Sequence, residues 1–227
     1  MLFDVKNTTV RILSDLICPH YCSLCGKIGS VLCDCCKNDL NADYANQCLA
    51  CGSSISDYCP TCTLPFSGQW TFSARNHTLA KMISAYKYDS VRAFSIAFAD
   101  FLHACLPSLP SDTVVVPMPT IRQHIRERGF DHTLLIAKEL CRKRRLVLKS
   151  LIGRAKNTIQ VGANRSERLE QAKSAYCLTS QPNPDTPYLL LDDVWTTGAS
   201  LCSACNLLKE NGARHLMVAV IARSVNP

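Results

Sequence analysis

The sequence predicts an α/β protein in which helices cover a mostly parallel sheet and a small cysteine-rich module precedes it. Two observations carry this. Ten of the 15 cysteines lie before residue 63, eight of them in four Cys-x-x-Cys pairs. Beyond that point short apolar runs alternate with helical patterns, as they do when strands are buried on both faces of a parallel sheet. Charge divides at the same place. Residues 1–62 hold four Lys/Arg against six Asp/Glu, and residues 63–227 hold 21 against 12. With 227 residues, 47% hydrophobic and 19% charged, the chain suits one full domain plus an appendage and is too apolar to be disordered.

Residues 1–17 predict an amphipathic helix, because Val10, Leu13 and Leu16–Ile17 recur at helical spacing. Arg11 and Asp15 interrupt the apolar run, and no basic leader precedes it, so the segment does not read as a secretory signal. No stretch approaches the ~18 apolar residues of a membrane span. The expectation is a cytoplasmic protein whose thiols stay reduced and whose cysteine clusters bind metal.

Residues 18–62 are read as a double zinc ribbon. Cys22/Cys25 and Cys33/Cys36 recur 26 residues later as Cys48/Cys51 and Cys59/Cys62, with the spacing Cys-x2-Cys-x7-Cys-x2-Cys in both copies. Each copy supplies four thiolates, the closed shell of a structural zinc that leaves no position for a catalytic water. Gly26 and Gly52 follow the leading pairs, where a tight knuckle needs a permissive backbone. The alternatives are disulfides, a single zinc with spare thiols, or a crossed arrangement in which the first and third pairs share an ion. Spacing also leaves open whether Cys35 replaces its neighbour Cys36, or Cys18 competes. Two zinc ions on eight thiolates would lower the formal charge from +7 to about +3.

Residues 63–227 form the larger unit. Strands are predicted at 113–117, 188–192 and 215–223, and helices at 77–87, 91–106, 131–145 and 199–211. In such sheets ligands bind at the carboxyl ends of strands. One strand end stands out: Tyr188-Leu-Leu-Leu is followed by Asp192, Asp193, Val194, Trp195, Thr196, Thr197, Gly198, Ala199 and Ser200, then a helix. The hydroxyl-rich turn at a helix start offers N–H and O–H donors to an anion, reinforced by the helix dipole. The paired acids before it can accept hydrogen bonds from sugar hydroxyls. Phosphate and vicinal diol together describe a ribose 5-phosphate.

YLLLDDVWTTGAS resembles the phosphoribosyl-diphosphate (PRPP) signature of type I phosphoribosyltransferases. The resemblance implies that Asp192 and Asp193 hold the ribose hydroxyls while Thr196, Thr197, Gly198, Ala199 and Ser200 wrap the 5-phosphate. Trp195 is bulky for that pattern. Joined to paired zinc ribbons, the domain is similar to the ComF family, associated with DNA uptake in natural competence. AYKYD (85–89) matches the family's Lys-Tyr segment and brings Lys87 to the site. The stretch 114–140 resembles a Val-Pro strand end leading to Arg-Gly-Phe-Asn-Gln, with Asp131 and His132 replacing Asn-Gln. Arg154, Gln160, Arg168 and Tyr176 keep the family order, with Gln171 where Asn is commoner. The likeness runs from Leu16 to Arg223.

Residues 122–173 hold 14 Lys/Arg against five Asp/Glu. Arg122, Arg126 and Arg128 follow a strand end and are read as PRPP ligands, since the guanidinium fork suits phosphate. Arg154, Gln160 and Arg168 are assigned to a mobile loop over residues 153–168 that closes over the ligand. Arg142, Lys143, Arg144 and Arg145 end a helix. They are read as a solvated terminus, with a nucleic-acid contact as the alternative. His124 and His132 are taken as satisfied or surface histidines, and Cys202 and Cys205 as small apolar core residues.

The resulting expectation is a ComF-like protein that binds PRPP with magnesium and takes part in DNA uptake, as a phosphoribosyltransferase whose acceptor is unassigned. The alternative is a non-catalytic single-stranded-DNA-binding or scaffold protein. It would sense a ligand through the fold and dock a partner such as a DNA-uptake helicase through the zinc ribbons.

Overall fold

The computed structural model describes residues 21–38, 40, 47–55, 59–89, 91–155 and 175–224. The helix expected at 1–17 lies outside them, as do Cys18, Gln160, Arg168 and Gln171. The chain divides into two compact units, Met1–Asn41 and Ala42–Pro227. The sequence reading placed its boundary after residue 62. By contacts, the second cysteine group goes with the larger unit.

In the smaller unit, a bridge between Tyr21 and Ile28 frames the first knuckle, and a short helix α1 (Asp34–Asn38) follows Cys33. The larger unit runs β1 (Gly68–Ala74), α2 (His77–Tyr88), α3 (Phe94–Cys105), β2 (Val114–Pro117), α4 (Arg122–Arg128), α5 (His132–Arg144), β3 (Val147–Leu148), β4 (Ile152–Arg154), β5 (Tyr176–Leu178), β6 (Pro187–Trp195), α6 (Ala199–Glu210) and β7 (His215–Arg223). Five strands form a sheet in the order β1-β7-β6-β2-β3, and every pairing is parallel. β4 and β5 form a separate antiparallel ribbon. This is the predicted α/β architecture, with the parallel sheet and the small cysteine-rich module in place.

The central strands are apolar because both faces are covered. Val114, Val116, Leu190, Val218 and Val220 pack with α6 (Leu201, Ala204, Leu208) and with Leu49 of the second knuckle. On the opposite face α3 and α5 pack on each other and on the sheet, through the buried Phe98, Leu102, Ile136 and Leu140. Caps fix two helix starts. Asn76 accepts from Leu79 N–H at 2.8 Å, and Asp131 from Leu134 N–H at 3.1 Å.

The strand β1 was not foreseen, because Gln69, Thr71 and Ser73 alternate with its apolar residues and suggest a solvent-facing side. All three are buried. Gln69 Oε1 accepts the Leu49 N–H at 2.8 Å and the Thr71 hydroxyl donates to Ser73 O at 3.2 Å, so satisfied polar groups take the place of apolar ones. On its other side, Phe72 stacks on Phe101 of α3 at 4.1 Å between ring centroids.

Candidate functional site

The two cysteine repeats build the same local structure. In each, the N–H of the leading cysteine donates to a carbonyl five residues on, Cys22 to Lys27 and Cys48 to Ser53, at 2.8 and 2.9 Å. The glycine N–H closes the knuckle, Gly26 to Cys22 and Gly52 to Cys48, both at 2.8 Å. Gly26 (φ 74°) and Gly52 (φ 80°) adopt the left-handed conformation anticipated for them. The four sulfurs of Cys22, Cys25, Cys33 and Cys36 converge, as do those of Cys48, Cys51, Cys59 and Cys62. Each repeat therefore forms its own group. The first group takes Cys36 and not the exposed Cys35, while Cys18 lies outside the described residues. The Cys25–Cys33 and Cys51–Cys59 sulfurs are 3.6 Å apart. That is close to the ~3.8 Å edge of a tetrahedron with metal–sulfur bonds of ~2.3 Å, and far from a disulfide.

The thiols also show the electrostatics of a cation site. Burial opposes ionisation of Cys22, but N–H groups of Cys33, Cys25 and Leu24 directed at its sulfur bring it down to about 6. Hydrogen bonds from Ser53 bring Cys51 down to about 5, while the neighbouring Cys51 sulfur pushes Cys62 up to about 12. Four thiolates so close cannot all ionise unless a cation balances them. Both groups fit zinc.

The candidate ligand site lies at the carboxyl ends of β2 and β6, in a cleft of about 180 Å³. Its walls include Lys87 of α2, Thr120 after β2, His132 of α5, Arg154 of β4, and Asp192 and Asp193 of β6. Both acids line the cleft, and a carboxylate oxygen of each lies within 4.8 Å of the other and of the His132 ring. One Asp193 oxygen (Oδ2) pairs with Lys87 Nζ and meets His132 Nε2 at 3.2 Å. Asp192 shows a carboxylate to the cleft, one oxygen accepting the Asp193 N–H at 2.9 Å.

This divides their acidity. Burial and the adjacent Asp193 charge raise Asp192 to about 7. For Asp193 burial pulls the same way, but the His132 hydrogen bond and the Lys87 charge outweigh it and hold the carboxyl well below its usual range.

Gly198 (φ 75°) turns the chain from β6 into α6, with Thr196, Thr197, Ala199 and Ser200 exposed around it. The Thr197 hydroxyl accepts the Ala199 N–H at 3.4 Å. First-turn N–H groups of a helix lack intrahelical acceptors, so the turn can receive an anion. The Trp195 ring does not line the cleft. It is buried over Gly198 and meets Phe66 edge-on at 6.0 Å.

The basic residues sort differently from the sequence reading. Lys87 reaches the cleft, and so does Arg154, whose Nε donates to Pro119 O at 3.1 Å and whose guanidinium lies 4.8 Å over the Tyr176 ring. Arg122 and Arg126 are exposed on α4 and are not among the residues lining the cleft. Arg128 contacts His132 Nδ1 at 3.1 Å and acts through that residue. In the run 142–145, Arg144 donates to Pro107 O at 2.6 Å and His103 O at 2.8 Å, and Lys143 pairs with Asp100 at 2.8 Å. These contacts tie α5 to α3 and the loop that follows it. Arg142 pairs with Glu139 of its own helix at 3.0 Å, and Arg145 is the left-handed cap with φ 57°. Arg144→Ala is expected to cost about 1–3 kcal/mol, because it strips charged donors from several carbonyls, with the loss read from urea denaturation.

The sequence reading took His132 as a satisfied or surface histidine; it is buried, with ring contacts to Thr120, Arg128 and Asp193. The available signal was its position, where the resemblance expects a glutamine. His124 also lines the cleft. Cys205 is fully buried and Cys202 packs against the core, as expected. Among the described residues no helix is long and apolar enough to cross a membrane.

No protein-family model matches the sequence. Among curated proteins, Competence protein F of Haemophilus influenzae is 26% identical over 212 residues, covering 85% of this chain and 90% of that protein. Competence protein ComFC of Streptococcus pneumoniae is 26% identical over 200 residues, covering 86% and 88%. ComFC of Bacillus subtilis is 30% identical over 136 residues, covering 59% of this chain and 49% of that protein. Among solved structures, a hypoxanthine phosphoribosyltransferase from Staphylococcus aureus overlays with a TM-score of 0.35 at 12% identity, over 59% of this chain and 63% of that one. A purine phosphoribosyltransferase from Pyrococcus horikoshii gives 0.31 at 16% identity, over 66% and 75%. Both overlays are loose. Three competence proteins matched in sequence, two of them over about 85% of the chain, support its membership of the ComF family.

Proposed function

We propose that the chain serves natural competence as a phosphoribosyl-binding protein, taking PRPP with magnesium in the β2–β6 cleft and carrying one structural zinc in each cysteine group. The observation that carries the reading is the junction of β6 and α6. There a carboxylate facing the cleft, Asp192, stands directly before an exposed hydroxyl-rich turn at a helix start. Asp192 suits a ribose diol and the turn suits the 5-phosphate. Arg154 and Lys87 supply positive charge for pyrophosphate. Magnesium would be carried in mainly on pyrophosphate and ribose oxygens, with few protein ligands. A phosphoribosyl transfer would then rest on cations stabilising the departing pyrophosphate. The likeness to competence proteins supports a role in competence; within it the proposed task is DNA uptake, with single-stranded DNA and a helicase as the partner classes.

Calorimetry with PRPP and Mg²⁺ tests the ligand. Wild type is expected to bind, and Asp192→Asn to lose at least ~10-fold in affinity, the usual scale for a charge-assisted hydrogen bond. Because Asp192 titrates near 7 in the empty site, while bound hydroxyls favour its charged form, binding should release close to one proton at pH 6 and almost none above pH 8. Buffers of different ionisation enthalpy report that difference. Equal heats from wild type and the variant would remove the ligand assignment. Pyrophosphate release on adding candidate acceptors separates a transferase from a protein that only senses the ligand.

A further inference from the structure

The Asp131–His132 pair, which stands where the family resemblance expects Asn-Gln, forms a connected set of contacts beneath the cleft. Asp131 caps α5 and accepts the Thr120 hydroxyl at 2.9 Å. His132, the first residue of that helix, is buried, and its backbone carbonyl accepts the Tyr86 hydroxyl at 2.7 Å. Its ring is therefore held at one place and angle. Nδ1 lies 3.1 Å from Arg128 Nη1 and 3.1 Å from Thr120 Oγ1. A guanidinium only donates, so Nδ1 accepts from Arg128; the Thr120 hydroxyl gives its proton to Asp131 and none to this nitrogen. The ring proton then sits on Nε2, which lies 3.2 Å from Asp193 Oδ2. Lys87, at the end of α2, takes the same oxygen from another side.

We propose that His132 is a positioning residue of the phosphoribosyl site. With Lys87 it fixes the Asp193 carboxylate in the cleft beside Asp192, so that the acidic pair meets the ligand's vicinal hydroxyls in one set geometry. The proposal rests on the phosphoribosyl reading of the cleft. Arg128 acquires a role in it: it sets the tautomer instead of touching phosphate. The sulfur-free trio His132, Asp192 and Asp193, whose ligand atoms also converge, is in this account not a metal site. One of its ligands presents a proton and another is neutralised by Lys87.

The test uses the full chain and has two arms. In the first, long-range ¹⁵N–¹H spectra of the imidazoles are recorded without any ligand. His132 is expected as the Nε2–H tautomer, and Arg128→Met is expected to release it into a tautomer mixture. An Nδ1–H tautomer in wild type, or selective broadening of His132 by stoichiometric Mn²⁺, overturns the proposal. In the second arm PRPP/Mg²⁺ affinity is measured for His132→Gln, which keeps a side-chain N–H donor, and for His132→Leu, which does not. Gln is expected within about 3-fold of wild type. Leu is expected to lose about 10-fold or more, the range found when a supporting hydrogen bond is removed from a site ligand. Asp193→Asn should match Leu. Wild-type affinity in His132→Leu refutes the positioning role. If wild type itself does not bind PRPP, the phosphoribosyl reading falls, while the spectra still decide whether His132 holds Asp193.

Discussion

Cys48→Ser/Cys51→Ser is expected to remove one zinc per chain and to lower the melting temperature of the larger unit by roughly 7–20 °C. The reason is Leu49, which lies between those two cysteines. Its side chain is fully buried in the apolar cluster that contains Trp195, Leu190 and Val220. Its N–H donates to Gln69 Oε1, and its carbonyl accepts Arg223 Nε at 2.8 Å. Gly52 fits because a β-carbon there would stand 2.9 Å from the Arg223 guanidinium. Without the metal the knuckle is no longer closed, and burial of a leucine worth about 1.5–3 kcal/mol is at risk. The two anchoring hydrogen bonds add about 1 kcal/mol each. For a unit of this size each kcal/mol shifts the melting temperature by roughly 2–4 °C. Calorimetric melting with metal analysis on the same samples measures both effects. Cys22→Ser/Cys25→Ser, which takes the other ion from the smaller unit, leaves the Leu49 anchor intact. An unchanged melting temperature in the Cys48/Cys51 variant would show that the knuckle holds without its ion.

Gly198→Ala should be comparably severe and should also reach the ligand. At φ 75° an alanine costs about 1 kcal/mol in backbone strain. Its β-carbon would come to 2.0 Å from Trp195 Cζ2, a separation that real structures do not tolerate. The indole cannot swing away, because it is buried and packed edge-on against Phe66. Overpacking of this kind adds about 1–3 kcal/mol, for a total near 2–4 kcal/mol in urea denaturation. Whatever relaxation occurs moves the turn that carries Thr196, Thr197 and Ser200, so PRPP affinity should fall by at least ~10-fold as the anion donors lose their common focus. Trp195→Phe/Gly198→Ala should recover part of the stability, because the two side chains compete for one space and their effects are not additive. Equal losses in the single and double variants would mean that the strain lies in the backbone and not in the collision.

Much of this was legible in the residues alone. The 26-residue cysteine repeat announced two four-thiol groups, since the spacing of paired cysteines is a local property of the backbone. Apolar runs at 114–117 and 188–191 marked central strands, because strands covered on both faces have no polar side to disguise them. The Asp192–Ser200 string identified the turn by composition, and its placement at a sheet's carboxyl edge followed from strand-then-helix order. What escaped the sequence depended on groups brought together from afar. Gln69, Thr71 and Ser73 hid a strand because their partners lie in other segments or along the backbone. Arg144 and Lys143 looked like a solvated basic terminus until α3 and its following loop supplied carbonyls and a carboxylate.

The sequence by itself determined the local chemistry: which residues form knuckles, which turn can hold an anion, and which lysine belongs near it. Only the tertiary structure decided how those pieces are shared out. It paired cysteines within each repeat and fastened the second knuckle to β1 and β7. It brought Lys87 and His132 onto Asp193, with Asp192 beside it in the same cleft. Backbone spacing acts over a few residues and can be read from their order. A charge buried beside its partner depends on segments more than 60 residues apart, and only packing brings those together.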